Sequence, residues 1–274
     1  MIQDIFPHHF DNHYDPMKKP VRDSRILYFN NDSLLLRQGI APFPTNEELP
    51  SEKVTYLFTM DDTAYFFTEE NPSHIPAGTQ YFPVKKLRFH SSLLQKDIFI
   101  AWTALQIVHW MRDNRFCGSC GKRTIPSPKE RALLCPHCGR TIYPRLNPAI
   151  IAAVTWNDKL LLTRYADHHI SYYALIAGFT EIGETLEGTV RREVKEETGL
   201  SVKNIRYYKS QPWASASDIL AGFFCEVDGN PTITRDAEEL AEAFWAERKD
   251  IILQPDDYSL TNEMMRIFKG KKDF

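Results

Sequence analysis

The chain has no run of about 18 apolar residues, the length a helix needs to cross a bilayer. No transmembrane helix and no membrane partner are therefore expected. Its opening, MIQDIFPHHF, lacks a basic segment followed by a long apolar core, so no secretory leader is expected either. Cysteine is scarce. Five among 274 residues do not make a disulfide scaffold. The expectation from these absences is a cytoplasmic protein. Nor is there an excess of positive charge. With 33 Lys and Arg against 36 Asp and Glu, the net charge is −3, which gives no global basic field for nucleic acid and leaves room only for a local patch. The length predicts two domains or more.

Residues 1–95 show short β-rich runs, Ile26–Phe29, Val54–Phe58 and Ala64–Phe67, between Pro, Asn and Asp turns. They predict a small, mostly β N-terminal domain. His8, His9 and His13 lie near the start without a cysteine partner at ligand spacing, and read as surface residues. Asp97–Arg115 reads as an amphipathic helix carrying Ala101, Leu105 and Val108 in its apolar stripe, with His109 as a packing or surface residue.

The helix leads into Cys117-Gly-Ser-Cys120, and fourteen residues later into Cys135-Pro-His-Cys138. Two such knuckles predict a four-cysteine zinc site. Four thiolates fill a tetrahedral ion, so the zinc is expected to be structural. A redox pair is the competing reading for a single CxxC and is disfavoured by two matched copies. Lys122, Arg123, Lys129, Arg131, Arg140 and Arg145 make the region basic, which admits nucleic-acid binding or a merely solvated surface. The helix and ribbon together form a segment at 96–143. Beyond it, 144–274 alternates strands (Pro148–Trp156, Lys159–Thr163, Tyr173–Ile176, Val202–Ser210, Ile219–Val227, Ala243–Ala246) with a glutamate-rich helix that follows Gly178 and Gly183 in a loop and is closed by Gly199, and a last helix from about Thr261 to Lys269. This order predicts an α+β class, an α/β/α sandwich around a mixed sheet. Cys225 falls in an apolar strand and reads as core.

Gly178–Leu200 is the densest signal. It holds six glutamates in 23 residues. Glu193, Glu196 and Glu197 stand at i, i+3 and i+4, which stacks three carboxylates on one helix face. Like charges so placed repel. Either the face is solvated, or divalent cations sit among the carboxylates, as hard cations favour oxygen ligands shared with substrate phosphates. Gly199 reads as the helix C-cap.

Gly178, Glu184, Arg192, Glu193, Val194, Glu196, Glu197, Gly199 and Leu200 fill every fixed position of G-x5-E-x7-R-E-U-x-E-E-x-G-U, and the stretch resembles the Nudix box. With the four cysteines ahead of it and Ser210-Gln-Pro-Trp213 behind it, the layout resembles the NADH pyrophosphatase branch of the Nudix family. The resemblance covers about 97–274. It implies a metal-dependent hydrolase that cuts the pyrophosphate of NAD(H) into nicotinamide mononucleotide and AMP, and it implies a homodimer. It implies Mg²⁺ or Mn²⁺ on Glu193, Glu196 and Glu197, with Glu239 as a remote acidic ligand. Arg192 would orient a glutamate. Phe179 and Tyr143 would sandwich a base, and Gln211 and Trp213 would contact the substrate. After Trp213 the chain reads Ala-Ser-Ala-Ser217-Asp218 where the branch has P-F-P-x-S, which leaves the preferred dinucleotide open. The alternatives are ADP-ribose, a diadenosine polyphosphate or the NAD cap of an RNA. A non-catalytic nucleotide sensor would be favoured by a degenerate box, and every box glutamate is present.

Overall fold

A computed structural model describes the chain except for residues 38, 40, 73, 91, 167–171 and 271–274. Its packing separates two compact units, Ile2–Arg145 and Leu146–Phe274, the latter including Met1. Among the described residues no helix is long and apolar enough to cross a membrane.

The first unit begins with strands β1 (Phe10–Asp11), β2 (Arg25–Asn30), β3 (Ser33–Arg37), β4 (Thr55–Met60), β5 (Thr63–Thr68) and β6 (Thr79–Pro83). They form one sheet in the order β1-β4-β5-β2-β3-β6. The β-rich runs read from the sequence are thus strands, with limits that differ by a residue or two at their ends. The hairpins turn at Asn31 and Asp61, both in the left-handed region that Asn and Asp tolerate. His8 is an exposed partner of Asp61 (3.0 Å).

Helix α1 spans Gln95–Asp113, two residues earlier at each end than its periodicity suggested. Its N-cap is Leu94, which makes no side-chain cap bond, so no capping residue marks the start. His109 Nε2 lies 2.7 Å from Asp32 Oδ1.

The ribbon follows as β7 (Ile125–Pro126), β8 (Leu133–Leu134) and β9 (Thr141–Ile142), paired in that order. It is held to the β-sheet of its own unit by polar contacts. Arg131 donates to Leu57 O (2.7 Å) and lies over the Tyr14 ring, and Tyr14 donates to Ser127 O (2.7 Å). Arg115 and Arg112 both grip Glu69.

The second unit holds β10 (Asn147–Trp156), β11 (Lys159–Tyr165), β12 (Ile176–Phe179), α2 (Leu186–Thr198), β13 (Val202–Trp213), β14 (Asp218–Val227), β15 (Leu240–Glu247) and α3 (Leu260–Lys269). The sheet runs β13-β14-β10-β11-β15, with β12 beside the first half of β10. β10 and β14 are parallel and the other pairs antiparallel, so the sheet is mixed. Strand alternation sorts β10 between two cores. Ile150, Ala152 and Val154 join Val190 and Val194 of α2. Ile151 and Ala153 join Leu260, Met264, Met265 and Phe268 of α3. This is the expected α/β/α sandwich. Cys225 is a buried member of the α2-side core.

The strand limits correct the sequence reading at two functional places. β12 is Ile176–Phe179, through Gly178, where the sequence reading set the strand at Tyr173–Ile176. β13 runs through Pro212 to Trp213 and does not stop at Ser210. It is an edge strand, where a proline costs no ladder bond.

Gly222 of β14 lies under α3, where an added Cβ would meet Met264 Sδ at 2.7 Å and Leu260 Cδ2 at 3.2 Å. Gly222→Ala is expected to destabilise the second unit by about 1–3 kcal/mol through overpacking. Denaturant unfolding measures it, and an unchanged midpoint would refute this account of the sheet–α3 contact.

Candidate active site

α2 is built to begin and end where it does. Thr185 caps the start by accepting the Gly188 N–H at 3.0 Å. Gly199 closes the end in the left-handed region (φ 71°), its N–H bonding Lys195 O. The segment after β14 secures the last turn, with Thr234 N–H on Thr198 O (2.8 Å) and Asp236 N–H on Glu197 O (2.9 Å). That docking brings Asp236 and Glu239 toward the glutamate face of the helix.

Arg192 organises the carboxylates. Its Nε and Nη2 grip Glu184 in a fork (2.6 and 2.9 Å). Nη1 donates to Glu193 (2.7 Å) and Glu196 (3.0 Å), and Nη2 also donates to Phe179 O (2.9 Å). An arginine has five N–H donors, and these five contacts match them. Arg192 holds the Glu184 carboxyl down to about 2, helped by the Glu181 N–H. Thr189 adds a further bond to Glu184 (2.9 Å).

Gly178 completes the seat. A Cβ there would lie 2.0 Å from the Glu193 carboxyl carbon, so only glycine lets Glu193 lie against β12. Glu197 is 1% exposed, and its Oε2 has no hydrogen-bond partner. Burial pushes its carboxyl up to about 8, and the charges of Glu193, Glu239, Asp236 and Glu196 push the same way. Burial also raises Glu193, with Glu196 and Glu239 adding to it against Arg192. Glu193, Glu196, Glu197 and Glu239 therefore share one electrostatic field, although Glu239 is 42 residues from Glu197 in the chain. The partly buried Tyr165 lies in that field too, its phenol raised first by desolvation and next by Glu197.

An unpartnered buried carboxylate oxygen in a field of like charge is a group that a bound cation would satisfy. The donors are all oxygen, which suits a hard divalent ion. The carboxylates themselves are spread around the Arg192 guanidinium.

The cysteine quartet differs, because its ligand atoms converge. The four Sγ atoms of Cys117, Cys120, Cys135 and Cys138 lie within 4.8 Å of one another. The nearest sulfur pairs, at 3.5 and 3.6 Å, are far beyond disulfide length. The two knuckles repeat one backbone pattern. Cys117 N–H bonds Lys122 O and Gly121 N–H bonds Cys117 O; Cys135 N–H bonds Arg140 O and Gly139 N–H bonds Cys135 O. Gly121 (φ 70°) and Gly139 (φ 74°) take the left-handed position the turn demands. The Ser119 N–H draws the Cys117 thiol down to about 6, and the Cys138 N–H lowers Cys135. Both effects favour the thiolates that a zinc ion requires.

The NUDIX domain family matches residues 145–266, and the NADH pyrophosphatase zinc ribbon domain matches residues 112–143. The NAD-capped RNA hydrolase NudC of Photobacterium profundum is 42% identical over 231 residues, which span 84% of this chain and 82% of that protein. The chain belongs to the Nudix hydrolase family. The NAD-capped RNA hydrolase NudC of an Enterobacter species is 41% identical over 156 residues, 57% of this chain and 60% of that protein. As a Nudix hydrolase of the NADH pyrophosphatase type the protein is an enzyme, and its ribbon is a zinc ribbon.

The substrate contacts expected of this Nudix protein are placed unevenly. Phe179 follows Gly178 on β12 and is half exposed. Trp213 ends β13 opposite Asp218, which pairs in turn with Asn147. Phe179 stands opposite Ala149. The register therefore sets Phe179, Trp213 and Asp218 on one face of the sheet end, the face that α3 covers further along. Tyr143 belongs to the first unit, exposed, with its hydroxyl on Glu130 (3.1 Å). Gln211 departs from the sequence reading. It is fully buried, its Nε2 donates to Tyr258 O (2.7 Å) and its Oε1 accepts from Leu260 N–H (2.7 Å). Its amide ties β13 to the start of α3 and is not presented to a ligand. Glu184 was read as a fixed position of the box without its role as the anchor of Arg192, and Tyr165 beside the glutamates was not singled out from sequence. Glu184 lies off the helix, outside its i, i+4 spacing, and Tyr165 sits in a strand with no motif.

Gln211→Leu would strand two buried backbone groups, and a loss of about 1–3 kcal/mol in stability is expected. A raised KM with unchanged unfolding would instead restore a recognition role. Cys135→Ser is expected to abolish bound zinc and lower the melting temperature. Metal analysis and calorimetry check it, and full zinc with unchanged melting would overturn the ribbon assignment.

Proposed function

We propose that the chain hydrolyses the pyrophosphate bond of NAD(H), giving nicotinamide mononucleotide and AMP, and that the same site cuts this bond in an NAD-capped RNA. The observation that carries the reading is the buried, unpartnered Glu197 oxygen among Glu193, Glu196 and Glu239 on a complete Nudix box. The relatives' activity on NAD-capped RNA supports the second substrate.

Glu193, Glu196, Glu197 and Glu239 would hold Mg²⁺ or Mn²⁺. Bound there, the ions would neutralise pyrophosphate charge and acidify a water ligand. The protein's part is placement. Arg192 holds Glu193 and Glu196, and Glu184 holds Arg192, so these two carboxylates are kept on one side of the helix, from which an ion would draw them together. In the reaction the oxygen of water bonds to one phosphorus and the bridging oxygen leaves with the other. Phe179, Tyr143 and Trp213 offer aromatic faces for the planar bases. Gln211 positions the segment at 258–260 and is left out of direct contact. By the same resemblance the enzyme is a cytoplasmic homodimer, and a monomer mass in light scattering would count against that.

Glu197→Gln is expected to keep the fold and to lower kcat for NAD by at least about 10²-fold, since it removes charge that holds the ion. The assay uses NAD, NADH, ADP-ribose, a diadenosine polyphosphate and NAD-capped RNA, each with Mg²⁺ and Mn²⁺, with products identified by mass. Near-normal turnover in the variant would sink the site assignment. A wild-type protein inert on NAD, NADH and the capped RNA would sink the substrate.

A further inference from the structure

Among the described residues two buried carboxylate oxygens have no hydrogen-bond partner, Glu197 Oε2 and Asp218 Oδ1. The first belongs to the glutamate array. The second does not. Asp218 opens β14, and the charges that act on Glu197 do not include it. Burial raises its own carboxyl, a hydrogen bond from the Asn147 side chain lowers it, and no other charge bears on it. With no second acid beside it, the ion that would satisfy Glu197 leaves Asp218 as it is.

Such an oxygen costs stability. Asp218 is 5% exposed, and a buried acceptor without a donor loses the hydration it has in the unfolded chain. The surrounding strands send it no donor. Asn147 turns its Nδ2 to Ala216 O as well (3.1 Å). Gln211, next after Trp213 on that face of β13, gives its Nε2 to Tyr258 O. Trp213 stands opposite Asp218 in the β13–β14 pair. Phe179 lies on the same face of the sheet, two residues further along β10. The carboxylate thus shares its face with two of the rings offered to the planar bases.

A carboxylate accepts hydrogen bonds and cannot donate them. On a dinucleotide the base groups that answer it are amino groups, the exocyclic amine of adenine and the carboxamide amine of nicotinamide. The P-F-P-x-S pattern has a serine at this position. A hydroxyl turns to donate or to accept, so it tolerates an amine and a carbonyl alike, and aspartate does not. The neighbouring segment that can yield to a ligand is the turn at 214–217, closed by two backbone bonds of 3.4 Å each.

We infer that Asp218 is a specificity-determining residue, whose Oδ1 accepts a hydrogen bond from an amino group on a base of the substrate and so selects that base over its deaminated counterpart. The inference rests on the dinucleotide reading above and deepens it.

The test uses full-length protein with Mg²⁺ or Mn²⁺ and three substrates: NAD, nicotinic acid adenine dinucleotide and nicotinamide hypoxanthine dinucleotide. The second has a carboxylate oxygen in place of the carboxamide amine. The third has a carbonyl oxygen in place of the adenine amine. For the wild type, kcat/KM is expected to fall at least about 10²-fold below that for NAD on one of the two, and the one that falls identifies the base at Asp218. In Asp218→Ser that preference should shrink at least about ten-fold. Asp218→Asn, closest in shape, is expected to shrink it too. Melting of both variants should match or exceed the wild type, since each removes a buried carboxylate that lacks a partner. A wild type that treats all three substrates alike overturns the inference. So does a preference unchanged in both variants, the result expected if Asp218 only supports the fold or meets a ribose hydroxyl common to all three. A wild type that hydrolyses none of them removes the hydrolase reading, and binding then decides the inference. Calorimetry compares AMP with inosine monophosphate, and nicotinamide mononucleotide with nicotinic acid mononucleotide. One amino form binding at least about ten-fold tighter, an advantage lost in Asp218→Ser, upholds the inference, and equal binding removes it.

Discussion

The five N–H donors of one guanidinium hold the second unit's site together. Arg192 reaches off the helix to Glu184, along it to Glu193 and Glu196, and across to the last residue of β12 at Phe179 O. Without it, the carboxylates of α2 would repel, and the loop before the helix would be held to it only by the Thr189 hydroxyl on Glu184 and the Thr185 cap. With it, Glu197 is free to stay buried and unpaired. The carboxylate almost closed to solvent and the guanidinium that holds its neighbours are thus parts of one arrangement. Lysine could not replace Arg192, since a point charge cannot fork onto Glu184 and reach four groups at fixed angles.

The first unit depends on a different kind of closure. Its ribbon strands are two residues long, too short to fold by pairing alone. The two knuckles form locally by their own backbone bonds, and the metal would join them across the fourteen residues between Cys120 and Cys135. Arg131 and Tyr14 then fix this small module on the β-sheet. Their contacts use carbonyl oxygens and a ring, so they add no opposing charge to the ribbon.

Much of this was legible in the sequence, for physical reasons. The cysteine knuckles and α2 are set by local spacing, and local spacing is written in the chain. The two cores follow from strand alternation. What was not legible depends on partners far away in sequence. Pro212 reads as a turn until the sheet order makes β13 an edge. Gln211 reads as a polar ligand contact until Tyr258 and Leu260 arrive from 47 and 49 residues downstream to bury it. Leu94 carries no cap, so the true start of α1 had no marker. Gly178 was legible as a fixed position of a motif, but its reason, the carboxylate of Glu193 lying on its α-carbon, is visible only in three dimensions.

Gly178 and Phe179 are neighbours in one strand, so they point to opposite faces of the sheet. The Glu193 carboxylate presses against the first, and the second lies on the other face with Trp213 and Asp218. On the proposed assignment, a single peptide bond separates the carboxylate side of this strand end from the side that offers an aromatic ring. Substitutions on the recognising side, such as the altered residues after Trp213, can accumulate without disturbing the carboxylate array. On that assignment, a change of residue on the ring side would alter the substrate accepted and leave the seat of Glu193 on Gly178 as it is.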